Sequence, residues 1–223
     1  MPEKGNSRLK VNGAIGVRVW RGEERTDLTE IGGVLHLTPG ATGSFTEELP
    51  EALSSGKVRV LYYFVDLLDR DGSSTGLSNY VPTIAGGPPH PVEGFTAEIA
   101  DAGVLLRWNP PVAGEESGPM VVHIRRVVLF DRLTDEKQWL SSHSSFEQDL
   151  FIQGGSQSVH TTDKDVQHGY TYDYKAQYVA QLPVSKQTVL ELRGAFSAPA
   201  CIHIEKAVVS DSGAKSIPVP ECP

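Results

Sequence analysis

At 223 residues the chain is long enough for one large or two ordinary domains, and its 22 glycines and 15 prolines favour short strands joined by turns over long helices. A formal net charge of −8, carried by scattered acidic residues, argues against a nucleic-acid partner, which would need a basic stripe. No stretch approaches the roughly 18 apolar residues of a membrane span. Residues 1–30 lack the pattern of a signal peptide, which leaves a cytoplasmic protein or one whose leader is removed or lies outside this sequence.

A tyrosine-rich strand, a polar turn and a final strand are predicted over residues 58–85, VRVLYYFVDLLDRDGSSTGLSNYVPTIA. The turn carries Asp66, Asp69 and Asp71, and acidic oxygens at such short spacing also occur in calcium-binding loops. The glutamate expected at the twelfth position of such a loop is missing, and the same residues suit a hairpin turn. We therefore predict a hairpin here and no metal site.

The clearest boundary in the chain is AGGPPHPVEG, residues 85–94, which holds three prolines and three glycines. Proline has no N–H to donate to a strand ladder, so this stretch cannot lie inside a central strand. It predicts a linker between a first unit, 1–86, and a second unit, 88–206, which is followed by a polar tail, 207–223.

The second unit has several strand-like runs with turn residues between them, which indicates an antiparallel sandwich or barrel. These runs are VEGFTAEIA (92–100), GVLLRW (103–108), MVVHIRRVVLF (120–130), YTYDYKAQYVA (170–180) and TVLELRGAFSAPACIHI (188–204). Only DRLTDEKQWLSSHSS, residues 131–145, could hold a helical turn or two, and it fits a loop equally well. We predict a seven-stranded sandwich with Trp108 buried between its two sheets.

The end of the first unit is repeated in the second. Aligned by eye, Tyr63 corresponds to Tyr172, and GLS at Gly76–Ser78 corresponds to GAFS at Gly194–Ser197. The second copy is longer between these landmarks, and its extra residues lie within AQLPVSKQTVLELRGAF, residues 180–196. Because apolar residues alternate in TVLEL, we predict that this segment lengthens the hairpin between the last two strands.

The run PHPVEGFTAEIADAGVLLRWNPP, residues 89–111, resembles the first two strands of a fibronectin type III domain. The resemblance implies an all-β chain of two immunoglobulin-like sandwiches in tandem. It also implies that Trp108 is the core tryptophan and that Tyr172 and Tyr63 are core residues whose hydroxyls bond to nearby backbone. The phrases GSFTEELPEAL, YYFVDLLDRDG, GLSN and FSAP are similar to type III repeats of predicted bacterial, acidobacterial-type lipoproteins.

The first unit departs from this pattern at its N-terminus. IGVRVWRGEE, residues 15–24, resembles the third strand of the family, yet only 14 residues precede it. We therefore expect an incomplete domain that leaves apolar side chains poorly covered, namely Val17, Val19, Val65 or Leu67. Residues 1–14, the tail, the second unit or another subunit adding a strand could provide the cover.

The sequence predicts no catalytic residue, no metal ligand and no cofactor. It contains none of the motifs of nucleophilic hydrolases, zinc proteases, P-loops or dinucleotide-binding folds. The seven histidines are dispersed singly, and His123 and His203 fall within strand patterns where a hydrogen-bonded or solvent-facing histidine is expected. Cys201 and Cys222 are too few for a disulfide framework. Two unrelated thiols are favoured over one bridge, which would need an oxidising compartment.

Aromatic residues are the remaining candidates for binding. The alternating tyrosines of residues 170–178 are expected in the core. Trp139 lies in the irregular segment and is the aromatic residue expected to be partly exposed, as a plug under a loop or, less favoured, facing a ligand. Arg125 and Arg126 are expected on a solvated face.

The resemblance implies a non-catalytic modular protein outside the cytoplasm (periplasmic, cell-surface or secreted), acting as a spacer or a protein-binding module. A protein or cell-surface component would be the partner, and any membrane attachment would use a lipid anchor absent from this chain. Two alternatives are an accessory region of a larger secreted polysaccharide-active enzyme and a carbohydrate-binding module, which would need Trp139 or the tyrosines exposed in a row. Such sandwiches carry function in loops and sheet edges, so the fold does not name the partner.

Overall fold

The computed structural model describes residues 13–111, 119–129, 136–137, 139–140, 146–152 and 159–205. The chain divides into two compact units, Met1–Gly86 and Gly87–Pro223. Nearly all regular structure in the described residues is antiparallel β-sheet. Among them, no helix is long and apolar enough to cross a membrane.

The first unit forms a single sheet within the described residues. Its elements are β1 (Ile15–Gly22), β2 (Thr29–Leu37), the short helix α1 (Glu51–Ser54), β3 (Arg59–Leu68), β4 (Ser74–Leu77) and β5 (Val81–Ala85). The strand order is β2-β1-β3-β4, and β5 also pairs with β3. The last two strands therefore divide the same edge of β3 between them, β5 pairing with its start and β4 with its end.

The second unit forms two sheets. Its strands are β6 (Thr96–Ala100), β7 (Gly103–Arg107), β8 (Met120–Leu129), β9 (Glu147–Ile152), β10 (His160–Asp163), β11 (Thr171–Pro183), β12 (Val189–Arg193) and β13 (Ala200–His203). One sheet has the order β10-β7-β6, and the other has β12-β11-β8-β9 with β13 also on β11. If β12 and β13 are counted as two halves of one interrupted strand, the unit has the predicted seven strands.

Trp108 lies in the core between these two sheets. It is buried in one apolar cluster with Val104 and Leu106 of β7 and with Ile124 and Tyr174 of the facing sheet. Side chains of a strand alternate between its two faces, so only every second residue of β7 and β11 reaches this core. The predicted position of Trp108 is confirmed.

The two prolines after Trp108 end the ladder of β7. Trp108 N donates to Val159 O at 3.0 Å and Asn109 N donates to Glu93 O at 2.9 Å, which holds the chain to both neighbours. The next two residues have no N–H, so pairing stops there and the chain leaves the sheet. The RWNPP sequence is thus the end of a strand whose last buried side chain is the tryptophan.

The long hairpin between the last strands is present as predicted. β11 runs for 13 residues, and its final part pairs with β12 in antiparallel register from Val179↔Arg193 to Pro183↔Val189. Val184 N donates to Thr188 O at 2.9 Å and closes the turn. The hairpin reaches past the region where β13 pairs with β11.

The second unit is an immunoglobulin-like β-sandwich, as its two antiparallel sheets and the tryptophan buried between them show. The first unit has the counterparts of β8, β9, β11, β12 and β13 in the same order. Within residues 13–86 it has no paired strands corresponding to β6, β7 and β10, so the first sandwich is incomplete there.

Candidate interaction surface

Two serines fix the correspondence between the units. In the first unit, Val65 N donates to Ser78 Oγ at 2.9 Å and Ser78 N donates to Val65 O at 2.8 Å. In the second, Ala176 N donates to Ser197 Oγ at 3.0 Å and Ser197 N donates to Ala176 O at 2.7 Å. Each serine hydroxyl also donates to the next carbonyl along the chain. The alignment of the two serines made from the sequence is therefore supported by identical bonding.

The predicted pairing of Tyr63 with Tyr172 is wrong by two residues. Tyr63 lies two positions before Val65, and Tyr174 lies two positions before Ala176, so Tyr63 corresponds to Tyr174. The Tyr172 hydroxyl accepts a hydrogen bond from the backbone N of Gln167 at 2.7 Å, as the resemblance implied. Alignment by eye missed the shift because both strands are rich in tyrosine.

Tyr63 and Tyr174 instead belong to matching polar clusters. In the first unit, the carboxylate of Glu47 pairs with Arg21 of β1 and accepts from the Tyr63 hydroxyl at 3.1 Å. In the second, the carboxylate of Asp163 pairs with Arg126 of β8 at 2.8 Å and accepts from the Tyr174 hydroxyl at 3.0 Å.

The arginine and the tyrosine of each cluster also lie at equivalent positions in their strand ladders. Arg21 lies opposite Tyr63 in the β1–β3 ladder, and Arg126 lies opposite Tyr174 in the β8–β11 ladder. Burial, and then the bond to Glu47, raises the pKa of Tyr63. Burial, and then the charge of Asp163, raises the pKa of Tyr174. Both hydroxyls therefore stay protonated and act as donors at neutral pH.

Arg126 corrects an expectation from the sequence. It was predicted on a solvated face, but it is buried, and it also donates to Gln148 and to the carbonyl of Asp165. Arg125, its neighbour on the opposite face, is partly exposed and pairs with Glu147 at 3.0 Å. The ion pairs of Glu47 and Asp163 could not be predicted from the sequence, because each carboxylate lies in a segment that is distant in sequence from the arginine it binds.

Trp139 is also buried, so the hypothesis that it faces a ligand is wrong. It lies in a helical stretch with Leu140 and is 1% exposed. Its ring packs edge-on against Tyr170 at 5.0 Å and against Tyr172 at 6.3 Å between centroids. It is a core plug contributed by the connection between β8 and β9. Tyr172, Tyr174 and Tyr178 are buried too, so these aromatics form no exposed row.

Cys201 is disulfide-bonded, which makes the favoured hypothesis of two unrelated thiols wrong. The sequence has one other cysteine, Cys222, which lies outside the described residues together with the rest of the predicted tail.

The acidic turn after β3 is a hairpin, as predicted. Asp69 Oδ1 accepts from the backbone N of Asp71 at 2.9 Å and of Ser73 at 2.8 Å, which shapes the turn between β3 and β4. Asp66 is held by Ser74 at 2.6 Å and by Arg18 at 2.7 Å. The described part of the chain contains no cluster of histidine, cysteine, aspartate and glutamate suited to a metal ion.

His123 and His203, the two histidines predicted within strands, both make hydrogen bonds. His123 is buried on β8, where Nε2 lies 2.7 Å from Asp149 Oδ1 and Nδ1 lies 2.7 Å from Gln177 Nε2. The ring stacks on Phe151 at 4.6 Å between centroids. His203 pairs with the Thr171 hydroxyl at 2.9 Å. These contacts occupy both nitrogens of the His123 ring.

The exposed part of the first sheet is the candidate site. Val19, Val65 and Leu67 share one face, because Val19 and Val65 are register partners and Leu67 is two residues further along β3. We call these three side chains the open face. Val65 is 37% and Leu67 is 43% exposed, whereas their counterparts Ala176 and Tyr178 are buried. Incomplete cover was predicted correctly for Val65 and Leu67, while Val17 is buried.

The chain between β2 and α1 packs on part of this sheet. Gly43 lies against Leu37 and Phe45 lies against Gly32, so the segment returns beside β2. It then reaches the β1–β3 ladder, where Glu47 meets Arg21 and Tyr63. Val65 and Leu67 stay exposed, although Val17, the register partner of Leu67, is buried, so the open face is a limited apolar patch.

No protein-family model and no curated protein matches the sequence. Among solved structures, the chain is similar to the crystal structure of chicken CNTN1 FN1–FN3 domains, with a TM-score of 0.45 and 9% sequence identity. The alignment covers 87% of this chain and 57% of that chain. The assignment of the fold stands on the strand order and core described above, and this likeness adds nothing about a partner.

Proposed function

We propose that the chain is a non-catalytic modular protein that acts outside the cytoplasm and binds a polypeptide partner through the open face of its first unit. The observation that carries this proposal is the contrast between Val65 and Leu67, which are exposed, and their buried counterparts Ala176 and Tyr178. Exposed contiguous apolar surface on a soluble domain marks an interaction site.

The second unit indicates which kind of partner fits. There, the corresponding surface of the sheet is covered by strands whose inward side chains include Val104, Leu106 and Trp108. A β-hairpin with apolar residues at alternate positions presents the same kind of surface, since its side chains alternate between two faces. We therefore propose a β-structured polypeptide as the partner.

The disulfide at Cys201 supports an extracytoplasmic location, because disulfides persist in oxidising compartments and are rare in the cytoplasm. Similarity to lipoprotein repeats suggests that a lipid anchor on an upstream segment attaches the protein to a membrane. A carbohydrate-binding function is not favoured, because the aromatic residues it would need are buried.

The test uses the full chain and a labelled synthetic peptide of residues 91–111, which contains β6, β7 and Trp108. Fluorescence anisotropy should show saturable binding, since this hairpin covers the corresponding surface in the second unit. Leu67→Lys should weaken binding at least tenfold because it places a charge in the contact. Val189→Lys is the control, since Val189 is an exposed apolar residue on the β11–β12 hairpin of the second unit, outside the open face, and this variant should bind as wild type.

A peptide with Trp108 replaced by serine controls for non-specific hydrophobic binding and should bind more weakly. Binding that Leu67→Lys leaves unchanged would contradict the proposal. Sedimentation of the chain without peptide measures whether the chain associates with itself. A concentration-dependent dimer that Leu67→Lys abolishes would assign the open face to self-association instead.

A further inference from the structure

His123 and Gln177 form a buried pair on the outer face of the second unit, which is the side of the β12-β11-β8-β9 sheet that points away from the core. The two residues are register partners in the β8–β11 ladder, and they are 3% and 4% exposed. The His123 ring lies between Phe151, stacked on it at 4.6 Å between centroids, and Phe196, tilted against it at 5.8 Å. Water therefore has little access to either polar side chain.

The hydrogen bonds of this pair define the protonation state of the ring. Gln177 Nε2 lies 2.7 Å from His123 Nδ1, and an amide NH₂ group can only donate, so Nδ1 accepts. The single hydrogen of the neutral ring is then on Nε2, which donates to Asp149 Oδ1 at 2.7 Å. The cluster as it stands therefore holds a neutral histidine between an amide donor and a carboxylate.

The equivalent cluster of the first unit holds a permanent cation. Arg18 lies opposite Asp66 in the β1–β3 ladder, just as His123 lies opposite Gln177 in the β8–β11 ladder. Arg18 Nη2 binds Asp66 Oδ2 at 2.7 Å, and its Nη1 lies 3.9 Å from Glu30 Oε2. This position in the ladder therefore accommodates a positive charge when acceptors lie on both sides of it.

The acidic partners on the edge strands correspond as well. Glu30 lies on β2 opposite the residue two positions after Arg18, and Asp149 lies on β9 opposite the residue two positions after His123. The second unit thus keeps the carboxylate of the cluster and replaces the fixed charge of arginine with a side chain that can gain and lose a proton.

Asp149 differs from the other carboxylates on this outer face. The charged groups that surround the His123 ring on this face, among the described residues, are Arg125 of β8, Glu147 and Asp149 of β9, Asp173 and Lys175 of β11, and Glu191 and Arg193 of β12. The other three carboxylates each have a cationic partner, in the pairs Glu147–Arg125 at 3.0 Å, Asp173–Lys175 at 3.8 Å and Glu191–Arg193 at 3.0 Å. Within the described part of the chain, the basic group that Asp149 contacts is His123.

We propose that His123 is a proton-operated switch, in which uptake of a proton by the ring turns over the amide of Gln177. The proton binds at Nδ1, so that both ring nitrogens become donors. Nδ1–H then faces the NH₂ group of Gln177, and rotation of the amide by half a turn replaces that group with Oε1, an acceptor of nearly the same size. Nε2–H stays on Asp149, and this hydrogen bond becomes an ion pair.

The switch changes how the edge strand β9 is held. Among the described strands β9 pairs with β8 alone, and Asp149 lies in its middle. An attraction between two ionised groups adds to the hydrogen bond once the ring is charged, so β9 is held more firmly in mild acid. The outer face of the second unit also gains one positive charge. The cluster does not involve the open face of the first unit, so its test is independent of the proposed function.

The test is NMR spectroscopy of the isotope-labelled full chain from about pH 8 to about pH 5, the range in which histidine ordinarily changes its charge. The ring signals of His123 should pass from the neutral to the charged form. The side-chain NH₂ signals of Gln177 should move with the same midpoint, because the amide turns over with the proton. A ring that stays neutral in the folded chain, or Gln177 signals that do not follow the ring, would overturn the proposal.

Two variants of β9 test the ion pair with Asp149. Asp149→Asn keeps the shape of the side chain and removes its charge, so the midpoint of the His123 titration should fall by about 1 pH unit. Glu147→Gln is the matched control, because it removes a carboxylate of the same strand and face that is bound to Arg125, and it should move the midpoint much less. The two carboxylates are 54% and 45% exposed, so neither substitution disturbs the core. Equal midpoints in wild type and Asp149→Asn would contradict the ion pair.

Discussion

Breaking the buried cluster at Asp163 is the sharpest test of the second core. Asp163 Oδ2 accepts hydrogen bonds from Arg126 Nη1 at 2.8 Å and from the Tyr174 hydroxyl at 3.0 Å, and Oδ1 accepts from Asp165 N at 3.0 Å. Asp163→Asn keeps the size of the side chain but removes its charge. It also replaces one acceptor oxygen with an NH₂ donor, which cannot accept from either Arg126 or Tyr174.

The loss of unfolding free energy in Asp163→Asn follows from the burial of the ion pair. The side chains of Arg126 and Asp163 are 5% and 3% exposed, so water cannot replace the lost carboxylate. Removing one partner of a buried ion pair costs about 3–5 kcal/mol, and the remaining bonds of Arg126 to Gln148 and to Asp165 O favour the lower end, about 3 kcal/mol.

The first unit supplies a matched comparison. Arg21 and Glu47 are 11% and 15% exposed, so water screens this pair more. Glu47→Gln should therefore cost less than Asp163→Asn, about 1–2 kcal/mol, between the values for surface and buried pairs.

Urea unfolding of the full chain, followed by tryptophan fluorescence and circular dichroism, measures both variants. Replacing the second-unit pair together, as Arg126→Met with Asp163→Leu, should recover most of the loss, because no buried charge is then left alone. A cost below about 1 kcal/mol for Asp163→Asn, or an equal cost for Glu47→Gln, would refute the assignment of these energies to burial.

Three further predictions concern single groups. Trp108→Ala should lower the stability of the second unit by about 3–5 kcal/mol, and a thermal unfolding curve like that of wild type would contradict its place in the core. Burial opposes ionisation of Asp66, but hydrogen bonds from Ser74 and Arg18 outweigh burial and lower the pKa of Asp66. The ionised carboxylate therefore stabilises the fold above the ordinary pKa of 3.8, and this stabilisation is lost as pH falls through the folded pKa. Asp66→Asn should thus destabilise the chain at pH 7, with the difference narrowing in acid unfolding curves. Burial raises the pKa of Tyr178 to about 12, so its stabilising effect is present below pH 10 and is lost as pH rises through the folded pKa. Its tyrosinate absorbance should therefore lag behind that of exposed tyrosines, and titration of all tyrosines together near pH 10 would contradict this.

The strands and Trp108 were predictable because alternation of apolar residues and the proline stop are local signals. Arg126 was not predictable, since its burial depends on Asp163, which lies 37 residues further along the chain. A charged residue is buried in the protein interior only where a partner for its charge is present. The residues next to Arg126 in the sequence do not reveal a partner that lies so far along the chain. The favoured interpretation of Trp139 as a plug agrees with its burial, but the expectation that it is partly exposed is wrong for a related reason. The polar residues around it suggested a loop at the surface, while its ring packs on Tyr172 of β11 and on Tyr170 just before that strand.

The matching clusters also define what the open face lacks. Glu47 comes from irregular chain and Asp163 comes from β10, yet each carboxylate binds the equivalent arginine and tyrosine. The segment before α1 therefore substitutes for β10 in the first unit. The buried counterpart of Leu67 is Tyr178, whose hydroxyl donates to Asn109 O at 2.8 Å, directly after β7.

Leu67 is thus exposed at the position where the chain leaving β7 lies in the second unit, and not at the position of β10. In the second unit, the strand that ends near this position, β7, is joined by a turn to β6 and pairs with it. The proposed partner is therefore a single hairpin and not a whole sheet. This is why a peptide of residues 91–111 is a sufficient probe, and why a charge at Leu67 should weaken its binding.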